Sequence, residues 1–509
     1  MNHAPPRKPG GAQLQPAVTV SSLSPAPLPP ALRVIRSVPP TRSCAAAVLA
    51  VLLAAGCTAP VPAPLPADAA PAAWSQPAPA GSAAAPVLRA WWKQFGDPAL
   101  DALVDEALAR NLDLAQAAGR LRQARLQAGR ADAQFRPAFS AGARTVQDVA
   151  AIDNYFQASI DMAWEFGLFG AADAARRAGA AGIQDAAAEL QAVRVAVVAD
   201  VARHWLDLRT ARAQQALAGR IAALDDRAAA LAEVRLRTHL GTSDELAQAR
   251  ARAAQSHAQE ALPREAATRA ALVLAVLLGR PAPDAAWTQG PVQPAPVLAA
   301  FTVDALPGDL VRTRPDIRRA EADVERAAAA LGISRSELYP RLALSGRLLY
   351  SYNLTQNRRN STENQPALGP VIDIPLFDWG RRRAQADADA IGLDNATLAW
   401  RRAVQDGVAE ADGALAALAR QGERAAALDQ ARALLAAQAG TQARRATLGL
   451  ASEYDGLPLR RDLLQAEADL ATARAARSLA FIALYKALGG APLPAGEDTP
   501  VASAEGAAR

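Results

Sequence analysis

Pro340-Arg341-Leu342-Ala343-Leu344-Ser345-Gly346-Arg347-Leu348-Leu349-Tyr350-Ser351-Tyr352 alternates almost residue by residue. Leu342, Leu344, Gly346, Leu348, Tyr350 and Tyr352 fall on one side, and Ala343, Ser345, Arg347 and Ser351 on the other. That period of two is what a strand with one apolar face requires. Across a polar loop a return segment repeats it, with Leu368, Pro370, Ile372, Ile374 and Leu376 opposed to Ala367, Gly369 and Asp373. Helical periodicity resumes directly after Gly380, so residues 340–376 are predicted to be a strand hairpin set between helices.

The same design occurs earlier, at residues 137–165. Phe139, Ala141 and Ala143 oppose Ser140, Gly142 and Arg144, and Phe156, Ala158, Ile160, Met162 and Trp164 alternate with Gln157, Ser159, Asp161 and Glu165. Each hairpin runs into one very long helical pattern, from Ala171 to about Leu236 and from Arg381 to about Leu448, followed by a glycine-marked turn and a return helix. Pro137 with Pro340, Arg144 with Arg347, Gly170 with Gly380, Gly241 with Gly449, and Gly279 with Gly489 recur in order at offsets between 203 and 210. Ordered landmarks at so constant a spacing indicate a tandem structural duplication. The first repeat spans 91–281, a Pro-rich linker 282–308, the second repeat 309–490, and a disordered tail 491–509. Asp97 and Pro98 are predicted to cap and begin the first helix. Trp91 and Trp92 before it are read as packing residues.

Strands of roughly ten residues have the length needed to cross a bilayer at a tilt. Four of them cannot close a barrel, and an open edge cannot sit in lipid because its backbone groups have no water to bond. The chain must therefore oligomerise, and three copies give twelve strands. A helix of about 100 Å at 1.5 Å per residue can be buried only along similar helices. The expected fold is mixed, mainly α: a trimeric membrane β-barrel with four strands per chain, continued by a long α-helical barrel and built from two tandem repeats. In it Arg144, Asp161, Arg347 and Asp373 face the aqueous pore, and the row from Leu342 to Tyr352 faces lipid.

Composition narrows the function. The formal charge is +5, but the uncompensated positives Arg7, Lys8, Arg33, Arg36 and Arg42 all precede Cys57, in a stretch without an acid. The rest is formally neutral, which argues against a nucleic-acid partner. Both cysteines, Cys44 and Cys57, bound an apolar run too short to span a bilayer and placed as in a secretory signal. Its end, Leu53-Ala54-Ala55-Gly56-Cys57, resembles a bacterial lipoprotein signal; the resemblance implies that residues 1–56 are removed, that Cys57 is lipidated, and that Thr58 after it favours outer-membrane sorting. An ordinary signal peptide cleaved nearby is the other reading. The Pro/Ala-rich stretch within 57–90 is then an extended tether. Histidines 3, 204, 239 and 257 are isolated, and no metal spacing or phosphate loop is present. No catalysis, cofactor or metal is expected.

Several motifs carry a family resemblance: Trp91-Trp92 through Asp97-Pro98, Arg314-Pro315-Asp316-Ile317-Arg318 with Ala320-Glu321, Tyr339-Pro340, Leu376-Phe377-Asp378-Trp379-Gly380, and Leu484-Tyr485-Lys486-Ala487-Leu488-Gly489-Gly490. In this order, over about residues 90 to 490, the chain resembles the outer-membrane factor (TolC-like) family of tripartite efflux pumps, in its NodT-like lipoprotein branch. The resemblance implies a homotrimeric conduit, an outer-membrane β-barrel continued by a long periplasmic α-helical barrel, that meets a periplasmic adaptor (membrane fusion) protein and, through it, an inner-membrane pump. It implies adaptor contacts at the helix-turn tips, Leu240, Gly241, Thr242 and Ser243 and Leu448, Gly449, Leu450, Ala451 and Ser452. It also implies an aperture gate among acidic residues after the second tip, for which Asp455 and Glu453 are the candidates. Arg314-Pro315-Asp316 is read as structural. Two other functions remain open at this point: the exit channel of a type I protein secretion system, and a non-channel periplasmic coiled-coil or adaptor lipoprotein.

Overall fold

Two helices of 67 residues dominate the chain, α3 (Ala171–Arg237) and α9 (Arg381–Thr447), each about 100 Å long at 1.5 Å per residue. The computed structural model describes residues 70–77, 87–148, 153–303, 307–354 and 363–490, all within the unit Gly56–Arg509. Residues 1–56, predicted to be a signal, Cys57, and residues 491–509, predicted to be a disordered tail, lie outside the described residues.

A short 3-10 segment, Leu88–Phe95, leads into α1 (Pro98–Arg110) and α2 (Leu112–Ala133). Asp97 caps α1 as its sequence position predicts, its carboxylate accepting from the Ala99 N–H while Pro98 opens the helix. The strands β1 (Ala138–Asp148) and β2 (Asp153–Glu165) come next, followed by α3. The return from α3 is split into α4 (Ser243–Gln259) and α5 (Ala261–Leu277). Pro263 accounts for the break, because it offers no N–H to the Gln259 carbonyl one turn back. The linker holds a single turn of helix, α6 (Ala285–Gln289). The second repeat consists of α7 (Leu310–Thr313), α8 (Pro315–Ser336), β3 (Arg341–Asn353), β4 (Glu363–Asp373), α9 and α10 (Glu453–Ala487).

The two hairpins join into one antiparallel sheet in the order β1-β2-β3-β4. Its central pair, β2 with β3, links strands from different repeats and sets Asp161 opposite Arg347. Below the sheet α2, α3, α8 and α9 pack side by side; toward the far end α3 contacts α4, α5 and α10, and α10 lies along α9. Midway, a single core gathers Trp91, Trp92, Phe95, Trp205, Leu274, Leu310, Trp400 and Phe481. Trp91 stacks on Tyr485, and Phe481 meets Phe95 and Phe301 edge to face, so the start, linker and end of the chain are fastened at one level.

The duplication is stricter than the sequence landmarks suggest. From Leu112 and Pro315 through Ala138 and Arg341, equivalent element starts differ by 203 positions; from Ala171 and Arg381 through Leu277 and Ala487, element ends and starts differ by 210. The whole change falls at the hairpin tips. Under this register Gly449 corresponds to His239, not to Gly241. Gly449 (φ 72°) and His239 (φ 58°) both adopt the left-handed conformation that closes a helix C-terminus. Gly241 instead sits in a tight place, where a Cβ would lie 2.9 Å from Glu245 Oε2 and 3.1 Å from Arg235 Cβ, so both side chains would have to shift.

Candidate functional site

The sheet separates its two faces by chemistry. Phe139, Phe156, Ile160, Leu348, Tyr350, Tyr352, Leu368 and Ile372 project from one face and are exposed in the single chain. The opposite face carries Arg144, Asp161, Arg347 and Asp373, all four on the side predicted from the alternation. Arg347 Nε approaches Asp161 Oδ1 at 2.5 Å, Ser159 Oγ donates to Asp161 Oδ2 at 2.7 Å, and Arg144 Nε donates to Gln157 Oε1 at 3.1 Å. Asp373 stands apart from this cluster, opposite Arg341 at the foot of β4. Neither β1 nor β4 has a partner on its outer edge among the described residues. An exposed apolar face on lipid-length strands, backed by a charged face and bounded by two unpaired edges, is one section of a barrel wall.

At the other end both interhelical turns share one construction. Leu240 N–H donates to Arg235 O and Leu450 N–H to Arg445 O, each at 2.8 Å, while His239 and Gly449 close the inner bonds to Leu236 O and Ala446 O at 3.1 and 3.0 Å. These double closures satisfy the last carbonyls of α3 and α9. Thr242 and Ser452 then cap α4 and α10. Their geometry leaves Leu240, Leu448 and Leu450 about 70% exposed at the tips (68%, 72% and 72%).

The two candidate gate carboxylates have different surroundings. Asp455 folds back on its own helix start: its Oδ2 accepts from Ser452 Oγ at 2.7 Å and from Ser452 N–H at 3.4 Å, and its own N–H donates to Ser452 Oγ at 3.2 Å, the last two bonds forming a capping box. Glu453 reaches across to α3, where Arg227 grips it with both ends of the guanidinium at 2.9 and 2.7 Å. The hydrogen bond and charge of Arg227 lower the Glu453 pKa. Further along the same α3/α10 contact, Arg461 meets the buried Asp225 at 3.2 Å, Arg220 meets Glu467 at 3.2 Å, and Gln214 Nε2 donates to Thr472 Oγ1 at 3.0 Å. Ser256 Oγ on α4 donates to Asp225 from the other side. Neither Arg227 nor Asp225 was singled out in the sequence, because partners 226 and 236 positions apart leave no local pattern.

Arg314 also proves to be a structural keystone, in keeping with its motif. Its guanidinium is buried, pairs with Asp316 at 2.6 Å and Glu410 at 2.7 Å, and donates to the Ala487 carbonyl at 2.8 Å. Burial pulls its pKa down, but Asp316 and Glu410 outweigh that and leave it raised. Gly407 makes room for this side chain, since a Cβ there would come within 3.0 Å of Arg314 Nε.

Among the described residues no helix is long and apolar enough to cross a membrane, and no group of three or more His, Cys, Asp or Glu side chains could hold a metal ion. A wall segment joined to a bundle of 67-residue helices defines a channel subunit. The family model described as "Outer membrane efflux protein" matches residues 103–280 and 306–490, and the chain belongs to that family. It is 30% identical over 445 residues to the pyoverdine export outer membrane protein OpmQ of Pseudomonas aeruginosa, covering 83% of this chain and 91% of that one. It is 28% identical over 408 residues to nodulation protein T of Rhizobium leguminosarum bv. viciae, covering 78% and 82%. The solved structure of the outer-membrane channel OprN superposes with a TM-score of 0.70 at 26% identity, over 86% of this chain and 98% of that one. The chain is thus an outer-membrane channel protein of the efflux type, with its helices on the periplasmic side.

Proposed function

We propose that three copies of this chain form a passive exit duct, the outer-membrane stage of a tripartite efflux pump that discharges drugs or other small toxic compounds. One observation carries the reading: among the described residues the four-stranded sheet has two unpaired edges and exposes large apolar residues along one face. In lipid such edges must be paired. Because β1 and β4 run in opposite directions, β4 of one copy can pair antiparallel with β1 of the next, and twelve strands close.

Energy comes from the inner-membrane pump, and the chain performs no reaction of its own. A periplasmic adaptor docks on the tips around Leu240–Ser243 and Leu448–Ser452, where three exposed leucines offer apolar anchors. Glu453 contributes to the gate through its tie to Arg227, while Asp455 supports the same turn by capping α10. Cys57, outside the described residues, is the lipid attachment point, and Arg144, Asp161, Arg347 and Asp373 line the pore.

Cross-linking of the detergent-extracted protein should give a trimer, and the same preparation should conduct ions across a planar bilayer. A monomer without conductance would end the duct reading. Fatty-acid labelling should disappear in Cys57→Ser, and labelling that persists there would remove the anchor.

A further inference from the structure

Upstream of the core-bound tryptophans, a short piece of the N-terminal segment lies against α9. Ala70 and Trp74 pack on the central core. Beside them the Asp412 carboxylate receives Ser75 N–H at 3.0 Å, Ser75 Oγ at 2.8 Å and Gln76 N–H at 3.3 Å. Three donors from two successive residues converge on one acidic side chain, which forms no salt bridge among the described residues. That is a clasp for the backbone of this segment, with an indole seated next to it.

We infer that Asp412 and the Trp74 seat form an intramolecular docking site for the N-terminal tether, and that the site sets how far a lipid on Cys57 can reach. The inference rests on the lipidation reading above. Asp412 lies 31 positions along α9 from Arg381, where the helix leaves the strands, a rise of about 46 Å. Ser75 is 18 positions from Cys57, and a chain of that length spans at most about 60–65 Å. The lipid therefore reaches the foot of the barrel with only a modest excess of chain. Without the clasp, the next core-packed residue among those described is Leu88, 31 positions from Cys57, with a maximum span of about 100–110 Å. Docking at Asp412 nearly halves the reach and makes the membrane anchor pull on α9 rather than on the segment before α1.

Deleting residues 61–68 tests this in the full chain. With Ser75 docked, the shortened tether spans at most about 33–36 Å, less than the distance to the strands, so most of the outer-membrane trimer should be lost. Adding Trp74→Ala and Asp412→Ala to the deletion should restore the trimer, because the chain can then pay out from Leu88. A deletion tolerated with Asp412 in place would overturn the inference, as would failure of the double substitution to restore it. The double substitution with the full-length tether serves as the folding control and should give the normal amount of trimer; a loss of trimer there would give Asp412 a folding role instead and overturn the inference. Labelling of Cys57 with fatty acid is followed in every variant. If the parent protein carries no lipid, the anchor reading fails, and the clasp is judged alone by the rate of chymotrypsin cleavage at Trp74. That rate should rise about tenfold in Asp412→Ala, and an unchanged rate would remove the clasp.

Discussion

Arg314 donates from Nη1 to the carbonyl oxygen of Ala487 at 2.8 Å, and in the first repeat Asn111 donates to the carbonyl oxygen of Leu277 at 2.9 Å. The two pairs are equivalent under the duplication: in each, the residue at the N-cap position of the helix before a hairpin holds the end of that repeat's return helix. The glycines that follow fit the same frame. A Cβ on Gly279 would lie 2.7 Å from Arg110 O, and one on Gly489 would collide with Thr313 O. Arg314→Ala should destabilise the protein by about 2–3 kcal/mol, below the range for fully buried pairs because Asp316 and Glu410 are each half exposed. Thermal unfolding of the purified trimer measures it, and Arg314→Lys, which lacks the planar fork, should recover only part of the loss.

The grip of Arg227 on Glu453 predicts a looser periplasmic end when it is broken. Glu453→Gln and Arg227→Ala should each raise single-channel conductance, and the double variant should add little to either because both remove one interaction. Asp455→Ala should behave differently. Loss of the cap costs about 0.5–1 kcal/mol in stability with little change in conductance.

His257 supplies a pH dependence. Its imidazole sits between Asp226 on α3, 3.0 Å away, and Glu260, 3.2 Å away, and Glu260 also holds Arg264. The hydrogen bond and charge of Asp226, joined by those of Glu260, raise the His257 pKa above its ordinary 6.5. A histidine raised on folding stabilises most when both states are protonated. The contribution is therefore fully present below pH 6.5 and is lost as pH climbs through the raised folded value. Thermal unfolding of His257→Gln should match the parent at pH 8.5 and fall below it at pH 5.5, with a small difference because the site is exposed.

Substituted cysteines test the two faces of the sheet. Arg144→Cys and Arg347→Cys should react with a charged, water-soluble thiol reagent and reduce conductance. Tyr350→Cys and Ile160→Cys should react only with a membrane-soluble reagent. Equal labelling of both sets would contradict the assignment of pore and lipid faces.

Local pattern made much of this legible. The period of two placed all four strands and the polar row but carried the last strand on to Leu376, whereas β4 ends at Asp373, just before Pro375, which has no N–H for a ladder. Asp97-Pro98 marked the start of α1, and the long apolar stripes gave the limits of α3 and α9 to within a residue or two. Three features escaped. Pro263 splits the return helix of the first repeat while Pro458 leaves that of the second continuous. His239 takes a left-handed conformation that favours glycine, so matching glycine to glycine misaligned the first tip by two residues. The α3/α10 ties and the Asp412 clasp join side chains more than 200 positions apart, and only the packed helices bring them together.

The single step in the repeat offset, from 203 to 210, has an evolutionary meaning. One added residue inside a helix would turn everything after it by about 100°, so the two halves have kept their lengths to the residue since they diverged. From α2 and α8 to the ends of the return helices, the change in length has been accepted between the paired strands, the part of the chain that answers to no helical phase. An epitope or reporter grafted between Asn353 and Glu363 would follow a route that natural selection has already used.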